Sequence, residues 1–179
     1  TKSFIATLSA SARLIAHWNQ DSPLLEAGLA LPEGLQQAAT LDWNLAVNAL
    51  AFDPANPDTI YAGTGEGFFR EEVRATNLPL RGGGIFVSHD RGETWSLIES
   101  TSGRRFYWVN DLVVSRHDSS RIYAATRAGV LRSKNAGKTW KRVLRPRVKG
   151  GCLDLAVRTD KETDHLLASC GTLETATIY

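Results

Sequence analysis

Methionine is absent from the 179 residues, cysteine occurs twice, and charges of the two signs nearly cancel, 21 Lys+Arg against 19 Asp+Glu for a net +2. Each shortage closes off a class. With so little net charge, no overall field recruits nucleic acid or an acidic membrane, and any cationic patch must be local. Two cysteines are too few for a small disulfide-dense scaffold. No apolar run approaches the ~20 residues that cross a bilayer, the longest stretches being broken by Arg13, His17 or Asp53. The chain opens on Thr1 with no charged-then-apolar leader, which reads as a processed or trimmed N-terminus. Composition is otherwise that of a globular protein, 42% hydrophobic and 22% charged, with room for one domain or part of a larger one.

Repetition is the strongest positive feature. The octet Ser88-His89-Asp90-Arg91-Gly92-Glu93-Thr94-Trp95 returns about 45 residues later, a period in the range of stacked structural units, as Ser133-Lys134-Asn135-Ala136-Gly137-Lys138-Thr139-Trp140. Ahead of each octet lies a second shared pattern: 47–52 and 59–64 are answered by 109–114 and 121–126, and a third copy runs through 152–157 and 165–170. Each unit reads as four short strands, rich in β-branched and aromatic residues: A (47–52, 109–115, 152–158), B (59–64, 121–126, 165–170), C (84–88, 129–133, 176–179) and D (94–98, 139–144). The Pro- and Asx-containing segment 53–58 suits an A–B turn. Four-stranded units at this period are propeller blades.

The octets, of pattern S-x-D-x-G-x-T-W, resemble the Asp-box or bacterial neuraminidase repeat. That repeat is found in sialidases, xyloglucan-degrading glycosidases, sortilin-type receptor domains and many large secreted bacterial proteins. The resemblance covers 47–179 and implies an all-β fold, a partial β-propeller of four-stranded antiparallel blades. Two blades are complete, 42–100 and 101–145, and 146–179 is a truncated third. The box implies a structural C–D turn built on Ser88, Asp90, Gly92, Thr94 and Trp95, and again on Ser133, Asn135, Gly137, Thr139 and Trp140. Its hydroxyl and carboxylate groups suit turn backbone N–H groups, its glycine suits positive φ, and its tryptophan suits a hairpin lid. Asn135 departs from the pattern, keeping a carbonyl while losing the charge.

Residues 1–41 do not fit the repeat and read as a short helical or irregular lead-in, or as part of a preceding blade. Leu8, Leu14, Ile15 and Trp18 have helical spacing, while Phe4 to Leu8 could equally form a strand. A ring closes with roughly four to eight blades. The expected partners are therefore further blades, from the same parent chain, another chain or a second copy, together with a glycan or protein ligand.

By the resemblance, the B–C and D–A loops gather on the face opposite the boxes. The first B–C loop, 65–84, is much longer than its counterpart in the second blade and holds Glu66, Arg70, Glu71, Glu72, Arg74 and Arg81. The D–A segments add Arg104, Arg105, Tyr107 and Trp108, then Arg145, Arg147 and Lys149. Their convergence would make a cationic, aromatic ligand face suited to carboxylates, phosphates or acidic sugars. Solvated loop arginines and packed aromatics are the plainer reading of the same residues.

A glycosidase needs two carboxyl groups facing each other across the scissile bond. Glu66, Glu71, Glu72, Asp111 and Asp154 are available, but their spacing selects no pair, and Asp111 and Asp154 occupy equivalent strand-A positions. No catalytic residue, cofactor or metal site is assigned: His17, His89, His117 and His165 are scattered, and Walker and dinucleotide patterns are missing. Aligned on the repeats, Cys152 and Cys170 face each other across strands A and B, as a cross-strand disulfide or as two buried thiols. A disulfide would favour an oxidising compartment, extracellular, periplasmic or lumenal. The leading expectation is a non-catalytic binding or scaffold module of a larger secreted propeller; the alternative is a fragment of a glycoside hydrolase.

Overall fold

The computed structural model describes residues 46–65, 67, 80–172 and 175–179. The expected lead-in and most of the long B–C loop, with Glu66, Arg70, Glu71, Glu72 and Arg74, lie outside the described residues. The chain forms three antiparallel meanders in sequence. The first sheet holds β1 (Val47–Phe52), β2 (Ile60–Thr64), β3 (Ile85–Ser88) and β4 (Ser96–Leu97) in the order β1-β2-β3-β4. The second holds β5 (Val109–Val114), β6 (Ile122–Thr126), β7 (Gly129–Ser133) and β8 (Lys141–Leu144) in the same order. The third has three strands, β9 (Cys152–Val157), β10 (Leu166–Gly171) and β11 (Ala176–Ile178).

The strand sequences explain why the sheets stack. β2 and β6 are buried along their whole length, with small and branched residues that fit between two strands and two neighbouring sheets. One apolar core joins the first sheet to the second through Ala49, Ala51 and Ile85 on one side and Val109, Leu112, Val114 and Phe106 on the other. Another joins the second to the third through Tyr123, Ala125, Val130, Leu155 and Ala168. At the first interface, a β-carbon added to Gly63 would lie 2.5 Å from Val109 Cγ1, so glycine lets β2 approach β5 closely.

Two features depart from the strand limits read in the sequence. β4 covers only two residues of the expected 94–98. Past Leu97 the chain enters a 3-10 turn, Glu99–Thr101, and the Thr101 hydroxyl accepts the Ile85 N–H at 2.9 Å, replacing the bond a longer strand would make. The pairing of the first strand with the second also slips once in each sheet, between Val47 and Ala49, between Val109 and Asp111, and between Cys152 and Asp154. These bulges free Asn48, Asn110 and Leu153 from the ladder and re-aim their side chains. Asn110 Nδ2 uses that freedom to donate to Cys152 O, 2.7 Å away in the next sheet.

Candidate functional site

The antiparallel meander sorts its connections to two ends. At one end lie the β1–β2 and β3–β4 turns and their counterparts; at the other lie the long β2–β3 connection and the chain leading into β5.

The first end is built for rigidity. Ser88 Oγ accepts from Gly92 N (2.7 Å) and Asp90 N (3.3 Å) and donates to Asp90 Oδ1 (2.7 Å). Asp90 in turn accepts from Thr94 N (2.9 Å) and Thr94 Oγ1 (2.5 Å), while Trp95 Nε1 donates to Gly92 O (3.0 Å). The second box repeats this wiring: Ser133 Oγ accepts from Gly137 N (2.9 Å), Asn135 Oδ1 accepts from Thr139 N (2.8 Å), and Trp140 Nε1 donates to Gly137 O (3.0 Å). One bond reverses. Asn135 presents an NH2 where Asp90 presents an oxygen, and it donates to Thr139 Oγ1 at 2.9 Å, so the threonine hydroxyl turns from donor to acceptor.

Gly92 and Gly137 take φ of 93° and 85°, and the residues before them, Arg91 and Ala136, are also left-handed at 63° and 51°. That strain is held by bonds to the neighbouring turns, from Arg91 N to Asp58 O (3.0 Å) and from Ala136 N to Ser120 O (2.8 Å). The Thr94 hydroxyl and N–H, with Ser88, hold the Asp90 carboxyl at about 2. Box to sheet, the Ser100 hydroxyl donates to Gly137 O and accepts from Trp140 Nε1 at 3.1 Å.

The same end carries a buried carboxylate that the sequence did not single out. Asp164 accepts from Ser115 Oγ (2.7 Å), Arg121 Nη1 (2.8 Å) and Tyr123 OH (3.0 Å), tying the third sheet to the second. Burial pushes its pKa up, but the Arg121, Ser115 and Tyr123 hydrogen bonds outweigh that and hold it below the ordinary carboxylate range.

The opposite end presents rings and guanidinium groups. Gly82 N donates to Tyr107 O at 2.7 Å, bringing Arg81 beside the segment that leads into β5. There the Arg81 guanidinium lies over the Tyr107 ring, 4.6 Å from its centre. Tyr107 and Trp108 stand edge to face at 6.0 Å, and the Arg127 guanidinium lies over the Trp108 ring at 5.2 Å. Arg81 and Arg127 are exposed and the two rings half-buried. Arg127 belongs to the turn between β6 and β7, and a β-carbon on Gly129, the first residue of β7, would lie 3.0 Å from Pro146 Cδ, which places the 145–147 segment alongside.

Of the expected ligand face, the structure brings together Arg81, Tyr107 and Trp108, and adds Arg127. Arg104 and Arg105 stand exposed on the 3-10 turn Arg104–Phe106. Arg145 and Arg147 are exposed, with Arg147 N donating to Tyr179 OH at 2.9 Å. No described contact joins these four to the ring cluster. The signal for Arg127 was the pairing of β5 with β6, which sets Thr126 opposite Val109 and so brings Arg127, after the one, beside Trp108, before the other.

No protein-family model matches the chain. A xyloglucanase from a Paenibacillus species is 32% identical over 112 residues, which is 57% of this chain and 10% of that protein. The chain thus spans a small part of the curated relative it matches. Among solved structures, an ancestral GH74 enzyme is similar at a TM-score of 0.53 with 23% identity, covering 76% of this chain and 19% of that one. The chain is a partial β-propeller. A GH74 enzyme from Niastella koreensis (TM-score 0.42, 21% identity, 73% of this chain and 22% of that one) and the GH74 xyloglucanase from Xanthomonas campestris (0.45, 18%, 74% and 22%) are also similar.

In the propeller, the first strands of successive blades carry Asp111 and Asp154. Asp111 Oδ1 accepts from Leu112 N at 2.8 Å and Oδ2 from Leu155 N at 2.7 Å. Burial, and the charge of nearby Asp154, raise its pKa against the pull of those two N–H groups. With both oxygens committed to backbone N–H groups, Asp111 joins the second blade to the third. Cys170 lies opposite Cys152, and the two are disulfide-bonded with sulfurs 2.07 Å apart. Among the described residues, no group of three or more His, Cys, Asp or Glu could hold a metal ion, and no helix is long and apolar enough to cross a membrane.

Proposed function

We propose that the chain is a blade segment of a propeller glycoside hydrolase, and that its loop end, around Arg81, Tyr107, Trp108 and Arg127, contributes to holding a polysaccharide. The observation that carries this reading is the 32% identity over 112 residues to a protein named a xyloglucanase. It favours the hydrolase alternative over a stand-alone binding module. Asp111 is not a catalytic group on this reading, because both of its oxygens are committed to backbone N–H groups. Part of the active site would come from elsewhere in the ring, which takes roughly four to eight blades to close. The Cys152–Cys170 disulfide supports an extracellular or periplasmic setting.

Native gels cast with xyloglucan, mixed-linkage β-glucan or polygalacturonate test the reading on the chain as it stands. At least one polysaccharide should retard it, and Trp108→Ala should abolish the retardation while leaving the fold intact by circular dichroism. Unretarded migration in every gel would end the proposal.

A further inference from the structure

The three sheets repeat one interface, and the outermost faces carry its two unused halves. In strand register, Leu50 of β1 stands where Leu112 stands in β5 and Leu155 in β9, each opposite an alanine of the next strand. Leu112 and Leu155 belong to the cores that join their sheets to the preceding one, and they are 3% and 7% exposed. Leu50 is 39% exposed. The far face of the third sheet is the matching case. Leu167 holds the register position of Tyr61 and Tyr123, and Ile178 that of Ile85 and Val130. Those four are buried in the cores that join each sheet to the following one. Leu167 is 50% exposed and Ile178 73%.

Polar groups repeat the arrangement. Between the second sheet and the third, Asp111 Oδ2 accepts from Leu155 N at 2.7 Å. Asp154 holds the position of Asp111 one sheet further on and is exposed, while Leu50 N is the register equivalent of Leu155 N. The outer face of the third sheet thus carries the carboxylate of a further contact of this kind, and β1 carries its N–H. In stacked repeats each unit is stabilised through contacts with its neighbours, so matching halves left uncovered mark where another unit docks.

From this register we infer that a second copy of the chain docks head to tail. Leu167 and Ile178 of one copy cover Leu50 of the other, and Asp154 accepts from Leu50 N of that second copy. The occupant is a second copy because the chain holds both halves of the contact, in the register that already joins its own sheets. With three described sheets in each copy, two copies stack six, within the roughly four to eight that close a ring. A head-to-tail contact whose rotation closes ends in a ring rather than a filament. The inference needs only the stacking of the sheets and stands apart from the polysaccharide reading, so its test contains no sugar.

Analytical sedimentation of the full chain over a concentration series tests it. A dimer of about 39 kDa, twice the 19.6 kDa of one chain, should form as concentration rises. Two variants read the direction of docking: Leu50→Glu spoils one face, and Leu167→Glu with Ile178→Glu spoils the other. All three side chains are exposed, so circular dichroism should show both variants folded. Each variant alone should be monomeric, whereas a mixture keeps one intact face on each partner and should form a one-to-one pair. Asp154→Ala should weaken the dimer about tenfold, as expected for loss of a charge-assisted hydrogen bond. A monomer at every concentration would overturn the proposal and assign both faces to other blades of the ring. A dimer kept by either variant alone would also overturn it, because the copies would then meet in some way other than head to tail.

Discussion

The first two blades approach closely at Gly63, and replacing it with alanine tests the packing of one against the other. The added β-carbon would sit 2.5 Å from Val109 Cγ1, 2.9 Å from Val109 Cβ and 3.2 Å from Ala49 Cβ. Val109 is fully buried, with 0% exposure, and it cannot swing into solvent. Overpacking of this kind costs about 1–3 kcal/mol, and removing a strand glycine returns about 0.5–1 kcal/mol, so Gly63→Ala should lower stability by about 1–2 kcal/mol. Val109→Ala alone should destabilise by opening a cavity. Combined, the two changes relieve each other: the alanine methyl fills space the valine vacates, and the double mutant should be more stable than the sum of the singles by about 1 kcal/mol. Urea unfolding followed by tryptophan fluorescence measures all three. Strict additivity, or a stabilised Gly63→Ala, would refute the interface described here.

Further outcomes follow from the box end and the inner strands. Asp90, at about 2 in the folded chain against an ordinary 3.8, contributes stability that is present above pH 4 and lost as pH falls from 3.8 toward 2; Asp90→Asn, which reproduces the second box, should flatten that part of an acid-unfolding profile. Asp111→Asn turns an NH2 toward a backbone N–H and should cost about 1–3 kcal/mol in thermal melts, whereas Asp154→Asn should lower the Asp111 pKa in a carboxyl NMR titration. Replacing Cys152 and Cys170 with serine opens a link spanning 18 residues and should reduce stability by about 2–4 kcal/mol in urea.

The order and limits of the strands could be read because every blade repeats the same local chemistry. Tyr61 and Tyr123 follow an isoleucine in buried strands, and each box carries its own turn residues. These are short-range signals, and repetition amplifies them. The β4 shortening could not be read, because it depends on a hydroxyl from Thr101 replacing a strand bond. Nor could the bulges: Asn110 and Leu153 sit at one register position with opposite polarity, so no residue type marks the slip. Arg127 was legible but went unread: it follows Thr126 as Trp108 precedes Val109, and those two residues pair across β5 and β6, so the repeat alignment already sets Arg127 and Trp108 at one end of one sheet. The cysteine pair illustrates the boundary: alignment of the repeats sets the two residues opposite one another, while their oxidation depends on the geometry of the folded pair.

The division of labour between the two ends of the blades is tested most directly by the indole N–H resonances of a ¹⁵N-labelled chain titrated with a xyloglucan oligosaccharide. Trp108 should shift in proportion to occupancy while Trp95 and Trp140, locked to Gly92 O and Gly137 O at 3.0 Å, stay in place. Shifts at Trp95 or Trp140 with Trp108 silent would contradict the account, placing the ligand on the end assigned to folding.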